Sequence, residues 1–361
     1  MARTKTALFA HAVMALSALT LVAIFAWGIA SGALSADAID RGAGGRGELV
    51  LQDDLEGGVL ALQPDEAAIG VFDPLSGERR GRIEADGDPG AMVPTPGGVS
   101  VFVTRDGSAD LRVYSTTNYE HETTVTLESE RLSEDRRPEH LLFSENGDTL
   151  FVTWKESPVV SVYAHEMLEL ELRTEFEIAD SFGPVYRNRR ATRLYRKTPD
   201  GLAVVYARNG DHIETVEAGA EHWRFNPSYT HIWGTDSDGG LWVVDERSTE
   251  ARRLDAPPVA DVPPVLPSDS DTALVLTADR EAVLAFDARS GRALGTIELP
   301  TPAAHLAESG AGTVWAVAET GEVTAIDPVG LQVHERLTLE GGAPTAVSAS
   351  IVQRDGNFAC F

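Results

Sequence analysis

AVLAFDARSGRALGTIEL, residues 282–299, reads as one hairpin: an apolar run ending at Asp287, a polar turn through Gly291, and a second strand from Ala293. Asp, Ser and Gly between two such runs are tight-turn residues. The unit recurs as VFDPLSG (71–77), VYSTTN (113–118), VYAHEM (162–167), VVDERST (243–249) and AIDPVG (325–330). Marking the end of each first strand gives Asp73, Ser115, Ala164, Asp245, Asp287 and Asp327, at gaps of 42, 49, 81, 42 and 40. The gap of 81 holds a degenerate copy near residues 208–211, which makes seven copies about 42 residues apart. A repeat of that length folds as one four-stranded blade. The chain is therefore predicted to be all-β, a seven-bladed β-propeller of four-stranded antiparallel blades.

A ring of blades must close, or it leaves two unpaired sheet edges. Blade one shows three strands, GVLALQ, AIGVFD and ERRGRI, while GAPTAVSASIVQ (342–353) is left over after blade seven. The leftover segment is predicted as the inner strand of blade one. Blade four is irregular, with clear strands only at TRLYR and LAVVYA within residues 191–218, and blade six starts with VPPVLP (262–267). Tryptophans such as Trp154, Trp223, Trp233, Trp242 and Trp315 fall in or beside strands, where they pack between blades.

The chain of 361 residues carries 30 Lys and Arg, of which only Lys5, Lys155 and Lys197 are lysine, against 56 Asp and Glu. The net charge of −26 disfavours nucleic acid and anionic membrane surfaces as partners and favours solubility in a salt-rich medium. A single cysteine, Cys360, excludes an intramolecular disulfide and any site built on several thiolates.

Residues 1–36 read as an export signal. Arg3 and Lys5 precede residues 7–36, which hold no formal charge apart from His11, and Asp37 and Asp40 follow. That asymmetry points the N-terminus inward and sends the remainder out, to a periplasmic or cell-surface location. The hydrophobic segment forms one helix, and two fates for it are open. It stays as a single-span anchor in the cytoplasmic membrane, or it is cleaved at Ser31-Gly32-Ala33 or Ala36-Asp37-Ala38. Residues 37–46 form a tether, 47–353 the propeller and 354–361 a tail.

The repeats, as in AVLAFDARSGRALGTIELPTPAAHLAESGAGTVWAVAETGEVTAIDP (282–328), resemble the YVTN and PQQ-like repeats of bacterial exported β-propellers, from residue 46 onward. That group includes binding scaffolds, sensors and enzymes, so the resemblance implies a fold rather than an activity. RPEHLLFSENGDTLFVTWKESPVVSVYAHE (137–166) is similar to a P-R-H-x-x-F-x-P-x-G strand pair of lactonase-like seven-bladed propellers. There a His and a downstream Glu face the central pocket. The resemblance matches His140 to that His and sets Glu156 one residue out of register with that Glu. Glu139 and Glu145 stand where the pattern has Arg and Pro.

Aligned inner-strand starts place His140 (PEHLLF), His222 (AEHWRF) and His305 (AAHLAE) at equivalent positions, two of them preceded by Glu139 and Glu221. Imidazoles converging on a channel mouth beside carboxylates suit zinc or another divalent cation. Polar residues satisfied by solvent or backbone are the other reading. YRNRRATRLYRK (186–197) concentrates arginine at the start of blade four, and Arg136 and Arg137 hold the matching place in blade three. Guanidinium groups there clamp a carboxylate or phosphate, or they neutralise Glu171, Glu175 and Glu177. SDSD (268–271) and TDSDGG (235–240) read as turns, because the twelfth position counted from Asp236 is Arg247 rather than a bidentate carboxylate.

These residues predict a monomeric, exported binding or scaffold propeller with a small-molecule or protein ligand at the channel mouth. Its ligand contacts are Arg136, Arg137, His140, Glu156, Arg190 and Arg193. A lactonase-like hydrolase using His140, and a periplasmic metal carrier using His140, His222 and His305, are the alternatives. No residue is assigned a catalytic role.

Overall fold

The second and third strands of each repeat are apolar on both faces, and this alone dictates stacked sheets. In Ser100–Arg105 and Ala282–Asp287 five consecutive residues are buried, whereas in the outer strand Ala293–Glu298 only Ile297 is. Side chains alternate across a strand, so a continuous buried run must be covered on both sides. The computed structural model describes residues 55–353, apart from residues 64, 65, 75, 86, 88, 106, 134, 135, 310, 311, 341–343 and 345. The chain divides into two compact units, Met1–Asp53 and Asp54–Phe361. The leader, the tether and the tail expected from sequence lie outside the described residues. Among the described residues no helix is long and apolar enough to cross a membrane.

Seven antiparallel sheets form a β-propeller. Blade three runs, from inside outward, Pro138–Phe143, Thr149–Trp154, Val159–Glu166 and Glu169–Glu177. Blade one closes the ring. Its inner strand is Ala346–Gln353, followed outward by Leu55–Gln63, Ala68–Phe72 and Arg79–Glu84. The clasp is an antiparallel ladder running from Leu55 opposite Gln353 to Leu62 opposite Ala346. Ala346–Gln353 also lies against the inner strands of blade two (Pro89–Pro94) and blade seven (His305–Glu308).

Two blades differ from the sequence expectation. The inner strand of blade four is Val185–Arg187, upstream of residue 191, and the outer three are Arg193–Thr198, Gly201–Tyr206 and His212–Val216. Three residues of mixed polarity carry too little pattern to be read as a strand. In blade six the VPPVLP segment pairs through one isolated bridge, Val265 with Leu274, and a second bridge, Val259 with Thr277, lies just before it. Pro263 and Pro264 have no N–H to donate, which prevents a continuous ladder.

The core is divided among the seams. Each of seven buried clusters lies between two neighbouring blades. Val59 and Ala61 pack with Trp315 and Val323 of blade seven, while Leu60 and Leu62 pack with Val101 and Val103 of blade two. Trp154, Trp223, Trp233 and Trp315 are fully buried in four of these seams.

The repeating turn also has a backbone signature. A residue with positive φ sits in the hairpin between the third and fourth strands of every blade, at Gly77, Tyr119, Met167, Gly210, Thr249, Gly291 and Leu331, and counting four places back from it sets the register of the copies. This aligns Tyr163 and Tyr206 with Asp73, Ser115, Asp245, Asp287 and Asp327, and it fixes the degenerate copy at the Tyr206 hairpin. Where the aligned residue is aspartate, its side chain caps the turn. Asp287 Oδ1 accepts the Ser290 N–H at 2.7 Å, and Asp245 Oδ1 accepts that of Ser248 at 2.7 Å.

Two outcomes follow. Ending the chain at residue 345 removes the clasp strand and strips one edge of Leu55–Gln63. Thermal unfolding is then expected to lose its single cooperative transition, with oligomers appearing on size-exclusion chromatography; a monomer with unchanged melting would refute the closure role. Met167 has φ 56° and is 85% exposed, so it bears left-handed strain without packing in return. Met167→Gly is expected to stabilise the fold by about 0.5 kcal/mol in chemical denaturation.

Candidate functional site

Every blade repeats the same up-and-down path, so all inner strands begin at one rim of the ring and end at the other. The turns joining second to third strands share the first rim. There the chain assembles a series of titratable pairs across blades three to six.

At the start of blade three, His140 Nε2 lies 3.8 Å from Glu139 Oε2. Burial pushes the His140 pKa down; Arg196 acts the same way and Glu139 opposes them. Arg196, at the rim end of the second strand of blade four, is fully buried. Its Nε donates to the Gly183 carbonyl at 3.2 Å, Nη1 to Pro158 at 2.9 Å and Nη2 to Ser157 at 3.1 Å. Burial lowers its pKa to about 10, against the pull of Glu139. Buried carbonyls left without donors cost roughly 1–3 kcal/mol each, so Arg196 ties the rim of blade three to the chain entering blade four.

Next along the strand, Lys197 forms an ion pair with Glu221 at the start of blade five. The neighbouring His222 Nε2 sits 3.4 Å from Asp261 Oδ1 of the blade six segment. In blade seven the His305 Nε2 is buried and has no hydrogen-bond partner among the described residues. Burial, with Arg280 adding to it, pushes the His305 pKa down. All three histidines are half-buried at this rim.

At the same rim of blade three a groove of about 490 Å³ is lined by Ser133, Arg136, Arg137, Trp154, Lys155 and Glu156. Arg136 is committed to the fold, since its Nε and Nη2 donate to the Leu127 carbonyl at 3.2 and 2.7 Å. The Lys155 N–H bonds the Arg137 carbonyl at 2.9 Å and fixes one wall. Glu156 stands exposed on the turn at φ 54° and makes no hydrogen bond or ion pair among the described residues. It is the wall's free anion.

The spacing predicts Arg190 and Arg193 at this same mouth, and the strand order corrects that. Because the inner strand of blade four ends at Arg187, residues 188–192 form the turn at its far end, so Arg190 and Arg193 lie at the opposite rim. Arg193 faces Glu246 there, with Nη1 3.7 Å from Oε1. Among the described residues, no three His, Cys, Asp or Glu side chains group to hold a metal ion. Asp236 spends its carboxylate on the Gly240 N–H and, at 2.8 Å, on the Trp242 indole, as a turn residue does.

Arg196, Lys197 and Asp261 are the rim residues that sequence reasoning left out of the site. The first two sit within the basic run, but only the Arg193–Thr198 strand register shows which arginine turns inward. Asp261 precedes the two prolines, in a segment with no strand signal.

No family model matches the chain, and no curated protein matches it by sequence. Solved structures match it in fold. Apo AztD from Citrobacter koseri gives a TM-score of 0.61 at 10% identity, over 83% of this chain and 99% of that one. The dihydro-heme d1 dehydrogenase NirN in complex with DHE gives 0.59 at 12% identity, over 82% of this chain and 74% of that one. A functionally unknown protein from Desulfotomaculum acetoxidans gives 0.59 at 13% identity, over 83% and 100%. At these identities the likeness is one of fold.

The buried histidines set a pH response. His140, His231 and His305 all have folded-state pKa values lowered by burial, so the unfolded chain takes up protons first. The stability they contribute is complete above about pH 6.5 and is lost as pH falls below it. The thermal midpoint is expected to drop between pH 7.5 and 5.0, with a shallower slope in His305→Gln. A midpoint that rises on acidification would contradict the assignment.

Proposed function

We propose that this protein is an extracytoplasmic binding propeller whose small-molecule ligand or protein partner docks at the rim where the inner strands begin. The observation that carries the reading is the succession of Glu139–His140, Lys197–Glu221 and His222–Asp261 around that rim. Paired, half-buried polar groups on rigid strand ends offer directed donors and acceptors, which recognise a polar ligand without having to be ordered first. Arg196 contributes by fixing the blade three turn beneath them. His140, with its pKa pushed below the ordinary histidine value, presents a neutral imidazole near neutral pH, able to donate from one ring nitrogen and accept at the other.

Two further points support the reading. The NirN propeller is described in complex with DHE, so the architecture is used for ligand binding elsewhere. The charge asymmetry of residues 1–40 is that of an exported chain held or delivered by its N-terminal segment.

Native mass spectrometry of the protein from its own host, with a pull-down from the same extract, tests the reading. A bound species or partner is expected on the wild type and lost in a His140→Ala/His222→Ala double variant that melts normally. Equal retention by that variant, or nothing retained by the wild type, would overturn it. A Zn²⁺ titration of both forms decides whether the ligand is a metal ion.

A further inference from the structure

At the opposite rim, between blades three and four, the structure holds a groove of about 960 Å³. Three turns build it. They are the one after the inner strand of blade three (Ser144 to Asp148), the one after the inner strand of blade four (Arg189 to Thr192), and the Tyr206 hairpin. Its floor is apolar, for Phe151, Val162 and Ala207 belong to the buried seam between the two blades.

The walls are held in place by a buried guanidinium. Arg187 Nε donates to the Phe143 carbonyl at 2.7 Å, and its Nη1 donates to Asn188 and Arg189 at 3.3 and 3.4 Å. One side chain thus links the end of the blade three strand to the blade four turn. Asn188 Oδ1 accepts the N–H groups of Thr192 and Arg193 at 2.9 and 3.2 Å, which holds Ala191 at φ 49°. The segment bearing Arg189 and Arg190 is therefore fixed before any ligand arrives.

The charges in the groove are unequally committed. Arg189 is paired with Glu145, Nε to Oε2 at 3.3 Å. The Asp148 carboxylate accepts from Ser144 and Thr149 at 2.9 Å and from Asn146 at 2.7 Å. Arg190 is exposed and makes no hydrogen bond or ion pair among the described residues. Among the described residues Arg208 only stacks over Tyr206, 5.5 Å from the ring centroid, and Tyr206 is itself 43% exposed. In a chain of net charge −26, Arg190 and Arg208 thus stand beside an apolar floor with no acidic partner among the described residues.

We propose that this groove binds a small carboxylate carrying an apolar or aromatic body, with Arg190 and Arg208 taking the carboxylate and Phe151, Val162 and Ala207 taking the body. Guanidinium forks match a carboxylate in geometry as well as in charge. The volume suits a drug-sized molecule. Tyr206 offers a flat face to an aromatic body.

Isothermal titration of the full chain with 4-phenylbutyrate tests this, using its amide and phenyl phosphate as comparisons. Saturable binding of the carboxylate is expected, about tenfold tighter than the amide and weakened by added salt. Arg190→Gln and Arg208→Gln should each weaken it about tenfold at unchanged melting temperature, while His140→Ala, at the other rim, should leave it intact. Absence of saturable binding, equal affinity for the amide, or indifference to both arginine variants would overturn the proposal. Tenfold preference for phenyl phosphate would overturn the carboxylate assignment.

Discussion

A strand-to-strand ladder joining the two ends of the described chain is the contact on which everything else rests. Leu55–Gln63 receives Ala346–Gln353 as its inner neighbour, and the ring then has no open edge at blade one. Each blade by itself is a twisted sheet with two apolar faces, which cannot be covered until a neighbour arrives on either side. Seven seams therefore depend on one another around the circle. The closing ladder completes the last seam, where Trp315 is buried against Val59 and Phe72. The indole N–H of Trp315 donates to the Pro74 carbonyl of blade one at 3.1 Å, a polar stitch across the same joint.

This division of the core among seams explains why the interior of the ring can carry polar groups. Among the described residues the buried apolar clusters all lie in the seams, so inner-strand residues such as His140 and His222 meet partners at the rims without disturbing the packing. The seam between blades three and four shows how a strongly acidic protein uses its arginines. Arg196 binds three backbone carbonyls near one rim and Arg187 binds three near the other. Each substitutes charge-assisted hydrogen bonds for the continuous strand pairing that the short Val185–Arg187 strand does not supply. The same two clamps fix the loops around which both proposed sites are built, so rigidity and recognition share residues here.

What was legible in the sequence depended on how many rules each element obeyed at once. Blades whose turn combines a capping Asp with a left-handed Gly, as at Asp73–Gly77 and Asp287–Gly291, were plain. The copy at Met167 reads one residue out of alignment, because its turn lacks both signals and the left-handed residue is a methionine. The Tyr206 copy kept its glycine, Gly210, but lost the aspartate. Blade four hid its inner strand because Val185–Arg187 is too short to show alternation, and that displaced Arg190 and Arg193 to the wrong rim. Blade six hid the opposite fault, a stretch that reads as a strand while its prolines deny it the ladder.

The sequence by itself determined the repeat, the number of blades, the closing strand and the residues that pack the seams. All of these follow from local turn chemistry and apolar periodicity, which neighbours in the chain express together. Only the tertiary structure decided which charged residues are neighbours. Arg196 meets Ser157 and Pro158, and Arg187 meets Phe143, across stretches of chain that carry no mutual pattern. A guanidinium looks the same in sequence whether it faces solvent or three buried carbonyls; strand register and the rim at which a turn lies make the difference.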